Sequence, residues 1–422
     1  MTGKVLSFTR DRQFYKFSAY GFLKNLRFFE PFIILYFREI GFSFLDIGIL
    51  FAIREISTVI FEVPTGFVAD SGGRKTSMIF SMVAYIVSFL TFFFFRSYTA
   101  AAGAMVLFAS GEAFRTGTHK AMILEYLRIT GQSEWKPDYY GATRAASKIG
   151  SAVNALIAAA LVIFTGSFRY IFLAAAFPCV LNMMNLASYP SVLNGTDVET
   201  GQGRPGLRET LRYFVSVFRK TGSRLSILNS AAFDAIFKVL KEYLQPVLKA
   251  LAIGLPILTA LSSNRRTAIV TGLVYFVLFL GASTASRFSG RFSRRIRGVV
   301  RSLNITWIIG FSTLIIAGVF QELSIYLVTI AAYLVLFALQ NLRRPLCVTY
   351  ISDKVPHRIM ASGLSAESLI KMIIMTVLAP VCGYIADIAG IGTAVAAGGV
   401  FMGLLYLPLR LGKTGQDSAS TV

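Results

Sequence analysis

The sequence predicts an all-α membrane protein of twelve transmembrane helices in two pseudo-symmetric six-helix bundles, with both termini in the cytoplasm. Three observations predict it. Apolar runs of about 20 residues, long enough for a hydrocarbon core about 30 Å thick, recur along the chain. Lysine and arginine crowd into alternate connecting segments. Features of the first half return in the second, across one polar central loop.

The apolar runs place spans at 15–38, 44–68, 76–95, 100–126, 140–165, 169–190, 224–248, 267–290, 302–320, 323–350, 360–385 and 391–410. Of 422 residues, 55% are hydrophobic, more than a soluble domain carries. The first 16 residues are basic and polar, and no short apolar core with a small-residue cleavage site follows them. The first span is therefore expected to stay uncleaved. Cys179, Cys347 and Cys382 all fall in apolar runs without zinc-ligand spacing. They point to neither a metal site nor a disulfide framework.

The formal net charge is +21. In a soluble protein it would suggest a nucleic-acid partner. Here the positive-inside rule accounts for it, and no nucleic acid is expected. With the amino terminus inside, the cytoplasmic segments hold 23 Lys and Arg, against six outside: Arg38, Arg96, Arg169, Lys249, Arg265 and Arg266. That asymmetry fixes the orientation, with the inner membrane of a bacterium as the expected location.

Residues 1–190 form the expected first bundle, 191–223 a cytoplasmic linker, and 224–422 the second bundle with a short polar tail. Within the linker, Leu207, Leu211, Phe214, Val215 and Phe218 recur at helical spacing opposite Arg208, Arg212 and Arg219. That pattern predicts an amphipathic helix lying on the inner membrane surface. Between the halves, Glu30-Pro31 in span 1 matches Gln245-Pro246 in span 7. Phe61–Lys75 matches Gly281–Arg295. Glu112, Arg115 and His119 in span 4 match Gln340, Arg343 and Cys347 in span 10.

Between spans 2 and 3 lies Gly66-Phe67-Val68-Ala69-Asp70-Ser71-Gly72-Gly73-Arg74-Lys75. Its glycines suit a tight turn, and Arg74 and Lys75 put positive charge at the inner surface. The spacing Gly-x-x-x-Asp-x-x-Gly-Arg-Lys resembles the helix 2–3 loop signature of the major facilitator superfamily of membrane transporters. Ser71 stands where that signature usually carries a basic residue. The resemblance implies alternating access between two bundles, with spans 1, 4, 7 and 10 lining a central cavity. It also implies a gating role for the loop, through Gly66, Asp70, Gly73, Arg74 and Lys75, with Asp70 latching the cytoplasmic side. The Arg-x-x-Gln-Gly pattern of the family's proton-coupled efflux members is missing from span 4.

Thirteen basic residues fall within the spans, against seven clearly embedded acids. Charge in lipid is costly, so such groups face protein or a wet cavity. Lys120, Arg287 and Arg344, near span ends, are expected to snorkel to the surface. The rest form stripes at helical spacing. Arg27, Arg115, Arg144, Lys148, Lys238, Lys241, Arg343 and Lys371 are the candidates for a substrate cavity. Glu112, His119, Glu30, Asp234 and Glu367 are the candidates for proton coupling. Glu367 with Lys371 (i, i+4) and Asp234 with Lys238 (i, i+4) also read as neutralised pairs. The surplus of cations favours a cavity that receives an anion.

The expected function is secondary active transport, proton-coupled, of a small organic anion or amphiphile by a monomer that needs no cofactor. No Gly-x-x-x-x-Gly-Lys-Ser/Thr loop is present to bind nucleotide phosphates, and no enzymatic nucleophile–base set is visible. A multidrug-type efflux pump is one alternative. A transporter-like scaffold or receptor without transport is another, of a different class.

Overall fold

In hydrocarbon every backbone N–H and C=O must find its partner within the protein, and an apolar run does so as a helix. The computed structural model describes residues 9–194, 221–256, 259–354 and 360–412. The side chains at 63, 66–71, 137, 221 and 360–362 lie outside that description, as does the expected surface helix of the linker.

The described helices are α1 (Arg12–Leu23), α2 (Ile33–Glu39), α3 (Phe44–Ser71), α4 (Arg74–Phe94), α5 (Tyr98–Arg115), α6 (Thr118–Ile129), α7 (Lys136–Thr165) and α8 (Tyr170–Ala187). They continue with α9 (Thr221–Leu240), α10 (Leu244–Gly254), α11 (Ser263–Arg295), α12 (Val299–Glu322), α13 (Tyr326–Lys354), α14 (Met360–Ala389) and α15 (Ile391–Leu409). Among the described residues, eight helices are each long and apolar enough to cross a membrane. The chain is a multi-pass integral membrane protein.

It packs into two compact units. The first comprises Met1–Ile40, Ile53–Arg204 and Leu255–Phe279. In it α4 packs on α5 and α8, and α1 packs on α7 and α8. A file of serines joins α4 to α5. Ser77 donates to the Phe114 carbonyl at 3.1 Å, Ser81 to Gly111 at 2.7 Å and Ser88 to Ala104 at 2.7 Å. Small hydroxyl residues let helix backbones approach closely, and hydrogen bonds hold them there.

The second unit comprises Gly41–Ala52, Pro205–Gly254 and Leu280–Val422. In it α12 packs on α13 and α15, and α9 packs on α14. Trp307, fully buried on α12, donates its indole N–H to the Met402 carbonyl on α15 at 2.9 Å.

Two expected spans are not continuous. Span 1 divides into α1 and α2, with turns over residues 24–32. Pro31 cannot donate a helical hydrogen bond, and Lys24, Asn25 and Arg27 are polar. Span 4 divides at Thr116–Gly117 into α5 and α6. Gly117 has φ +78°, a conformation that costs glycine little and other residues more. Span 7 is interrupted more mildly, by a tight turn of helix over Lys241–Tyr243.

The loop between α3 and α4 is pinned from a distance. Gly73 has φ +91° and offers no side-chain cap to α4. Asn194, just beyond α8, accepts the Lys75 backbone N–H at 2.9 Å, supplying the missing cap. The Lys75 ammonium donates to the Tyr189 carbonyl at 3.0 Å. The side chains of Gly66 and Asp70 are outside the described residues, so the expected latch is not seen in either sense.

Candidate functional site

The breaks in spans 1 and 4 shape a cavity of about 500 Å³ within the first unit. Phe17, Tyr20 and Gly21 reach it from α1, and Lys24 and Asn25 from the turn that follows. Arg115 closes α5, Thr116 and Gly117 form the break, and His119, Lys120 and Ile123 begin α6. Opposite them α7 presents Tyr140, Thr143, Arg144, Ser147, Lys148 and Ser151. Residues 140, 144, 147, 148 and 151 recur at helical spacing, so one face of α7 lines the space.

The lining holds five cations from Lys and Arg, with no aspartate or glutamate among the described residues. Arg115 is engaged by Glu112. Its guanidinium lies 2.5 Å from one Glu112 oxygen, while Arg27 pairs with the other. Tyr85 donates its hydroxyl to Glu112 at 2.7 Å and accepts the Arg115 Nε–H at 3.2 Å. Glu112 is thus clamped by two arginines and a tyrosine. Lys24, Lys120, Arg144 and Lys148 have no such acid partner. Instead Lys24 lies over the Tyr20 ring at 5.8 Å, and Lys120 and Arg144 over the Tyr140 ring at 5.7 and 5.8 Å. Aromatic faces attract cations without cancelling their charge.

His119 stacks on Tyr20, ring centroids 3.8 Å apart, with Phe17 edge-on at 5.5 Å. Its Nε2 lies 3.4 Å from the Tyr189 hydroxyl. Glu30 sits in the turn between α1 and α2, its backbone N–H bonded to the Arg27 carbonyl at 2.9 Å.

The second unit holds the other candidates. Asp234 accepts from Gln340 and lies 3.4 Å from the Lys371 ammonium and 4.0 Å from that of Lys238. Glu367 pairs with Arg344 and accepts the Ser230 hydroxyl at 2.8 Å. Lys241 lies 3.1 Å from Glu242, which also accepts from Gln245 at 2.8 Å. Arg343 is 1% exposed. It donates to Asn229, to the Leu303 carbonyl at 2.6 Å and to Thr306 at 3.0 Å, and stacks over Phe233 at 4.4 Å and Trp307 at 5.2 Å.

The structure therefore brings Arg115, His119, Arg144 and Lys148 to one cavity, with Arg27 behind through Glu112. Lys238, Lys241, Lys371 and Arg343 belong to separate, partnered groups. Sequence reasoning missed Tyr20, Lys24, Tyr85, Lys120 and Tyr140 as parts of one site. Lys120 and Arg344 were expected to snorkel, but Lys120 lines the cavity and Arg344 turns to Glu367. The signal for Lys120 was its place one residue after His119, in the expected span that already carried Glu112 and Arg115.

The model of the Major Facilitator Superfamily matches residues 25–370. The chain belongs to that superfamily. An uncharacterized MFS-type transporter of Bacillus subtilis, YxaM, is 33% identical over 122 residues, which is 29% of this chain and 30% of that relative's length. The fold is similar to that of a mutant of the nucleoside transporter NupG (TM-score 0.78, 13% identity, 94% of this chain and 100% of that one). It is also similar to a POT family transporter in complex with 5-aminolevulinic acid (0.67, 12%, 94% of each). A D-xylose–proton symporter shares it too (0.65, 14%, 92% of this chain and 96% of that one). These likenesses are of fold.

Proposed function

We propose that this facilitator is a secondary active transporter that moves a small organic anion by alternating access, coupled to protons, in the inner membrane of a bacterium. One observation carries the anion. Four cations of the first unit's cavity, Lys24, Lys120, Arg144 and Lys148, have no acid partner in a lining that holds no carboxylate among the described residues. Cations gathered in a wet cavity attract an anion and repel a lipophilic cation. That argues against the multidrug alternative.

Proton coupling is supported by Glu112. Its carboxylate holds Arg115 at the cavity wall. An anion that takes Arg115 as its partner weakens the hold on Glu112, which then binds a proton more readily. By linkage, a proton on Glu112 frees Arg115 and strengthens anion binding. His119 lies one turn on from Arg115 at the same cavity and offers a route for the proton. The likeness to a proton symporter is consistent with this coupling.

The test uses the purified chain in proteoliposomes with a panel of carboxylates, phosphate esters and lipophilic cations. Anion uptake that follows an imposed pH gradient is the expected result. Uptake of cations alone, or flux indifferent to the gradient, would sink the respective part. Correctly folded protein that moves nothing would favour the scaffold reading.

A further inference from the structure

The cavity carries more positive charge than one monoanion balances. Resting on the reading of that cavity as an anion site, we infer that its substrate has a doubly charged oxyanion head, that of a phosphate monoester, seated at the break between α5 and α6. Helix α6 starts at Thr118, directly after Gly117 at φ +78°. The first-turn amides of a helix have no intrahelical acceptor and carry the positive end of its dipole. Gly117, His119 and Lys120 bring that end to the cavity wall.

A second observation is independent of the helix end. The Tyr20 hydroxyl, on the same wall, is buried and makes no hydrogen bond of regular geometry, with Arg115 as the charged group beside it, and Tyr20 is 1% exposed. A buried hydroxyl without such a bond is costly until one forms. Around this corner stand the four unpaired cations. A phosphate monoester offers three strong acceptor oxygens and a charge near −2 once its second proton leaves at a pKa of about 6. A carboxylate or sulfate ester offers only −1. The rings of Tyr20, His119 and Tyr140 form the apolar walls for the ester's organic body.

Phenyl phosphate and phenyl sulfate test this, since they match in shape and differ in charge. Their binding to the purified full chain in detergent is measured by calorimetry at pH 7.5 and pH 5.5, with benzoate as a third anion. Phenyl phosphate should bind at least tenfold more tightly than phenyl sulfate at pH 7.5. That ratio should fall about fourfold at pH 5.5, as the monoester takes up a proton near pH 6. Phenyl sulfate does not titrate, so the ratio removes pH effects on the protein that act equally on both esters. In Arg144→Gln, and separately in Lys148→Gln, the ratio at pH 7.5 should drop severalfold while phenyl sulfate still binds. Both side chains are exposed at the cavity wall, and the unfolding temperature of each variant checks that it folds. Equal affinity for the two esters at both pH values would overturn the doubly charged head and leave the anion reading standing. A ratio unchanged in both variants would overturn the placement. Failure of all three anions to bind would overturn the inference together with the reading beneath it.

Discussion

Arg115 in the first unit and Arg343 in the second hold corresponding places in the two halves, and their surroundings are opposite. Arg115 stands at the wall of a cavity, with Glu112 as its partner and four further cations nearby. Arg343 is sealed among Asn229, Thr306, Phe233 and Trp307, its two terminal guanidinium nitrogens hydrogen-bonded and its plane against aromatic rings. The position after next differs too: Gly117 breaks span 4, while Pro345 leaves α13 continuous from Tyr326 to Lys354. A shared pattern of charge thus stands at a cavity wall in one half and within a sealed core in the other. What separates them is the balance of acids. The second unit sets Asp234 and Glu367 against Lys371, Lys238 and Arg344. At the first unit's cavity, Glu112 pairs with Arg115 and Arg27, and the described lining adds four further Lys and Arg without a carboxylate.

This contrast can be broken most severely at Arg343. Arg343→Ala removes a fully buried side chain and strands the groups it bonds, at a cost of about 3 kcal/mol. A fall of many degrees in unfolding temperature, with loss of yield, is expected. Arg144→Ala should leave that temperature nearly unchanged. Equal thermal shifts in the two variants would erase the distinction between cohesion and site.

Glu112→Gln comes next in size. The neutral amide loosens its hold on Arg27 and Arg115, and anion affinity should rise about tenfold, close to 1.4 kcal/mol. Exchange of substrate across proteoliposomes should persist while accumulation driven by a pH gradient disappears. Affinity measured against pH decides the matter. A pH dependence identical to that of the wild type would remove Glu112 as the coupling group.

A milder comparison sets Lys24→Gln beside Lys238→Gln. The first deletes an unpaired cation of the cavity and should weaken anion binding severalfold. The second removes one of three groups facing Asp234 and should change anion affinity by less than twofold. If Lys238→Gln has the larger effect, the receptive site lies in the second unit.

The smallest expected effect is at Asn194. Asn194→Ala removes the remote cap of α4, worth about 1 kcal/mol. Amide exchange at Lys75 should quicken while anion affinity stays within twofold. Unaltered exchange at Lys75 would show that the cap does not hold the loop.

Hydropathy and charge made the helical membrane fold legible, because apolar length and basic flanks are properties of contiguous sequence. The break at Gly117 was not legible, since glycine is common within spans and the hydrophobic period runs on through it. Pairing was legible only along one helix. Spacing joined Asp234 to Lys238, which the structure retains, but it also joined Glu367 to Lys371. The structure gives Glu367 to Arg344 and Lys371 to Asp234, across helices, where spacing carries no information. The signature loop was legible as a turn, yet its anchor Asn194 lies 119 residues beyond Lys75. The cavity was legible in Arg115, Arg144 and Lys148, through their type and stripe. Tyr20, Tyr85 and Tyr140 stayed hidden, because a tyrosine in a span reads equally well as core.

The surroundings of Arg343 also bear on how the chain is made. An arginine at the centre of an isolated membrane helix raises its insertion energy by about 3 kcal/mol on translocon scales. Its partners Asn229, Phe233, Leu303, Thr306 and Trp307 all precede it in the chain. When α13 leaves the ribosome, the groups that solvate its first arginine have already been synthesised. Arg344, one residue later, has its partner Glu367 still to come. The order of synthesis thus lets α13 settle Arg343 against α9 and α12 before α14 supplies Glu367 to Arg344.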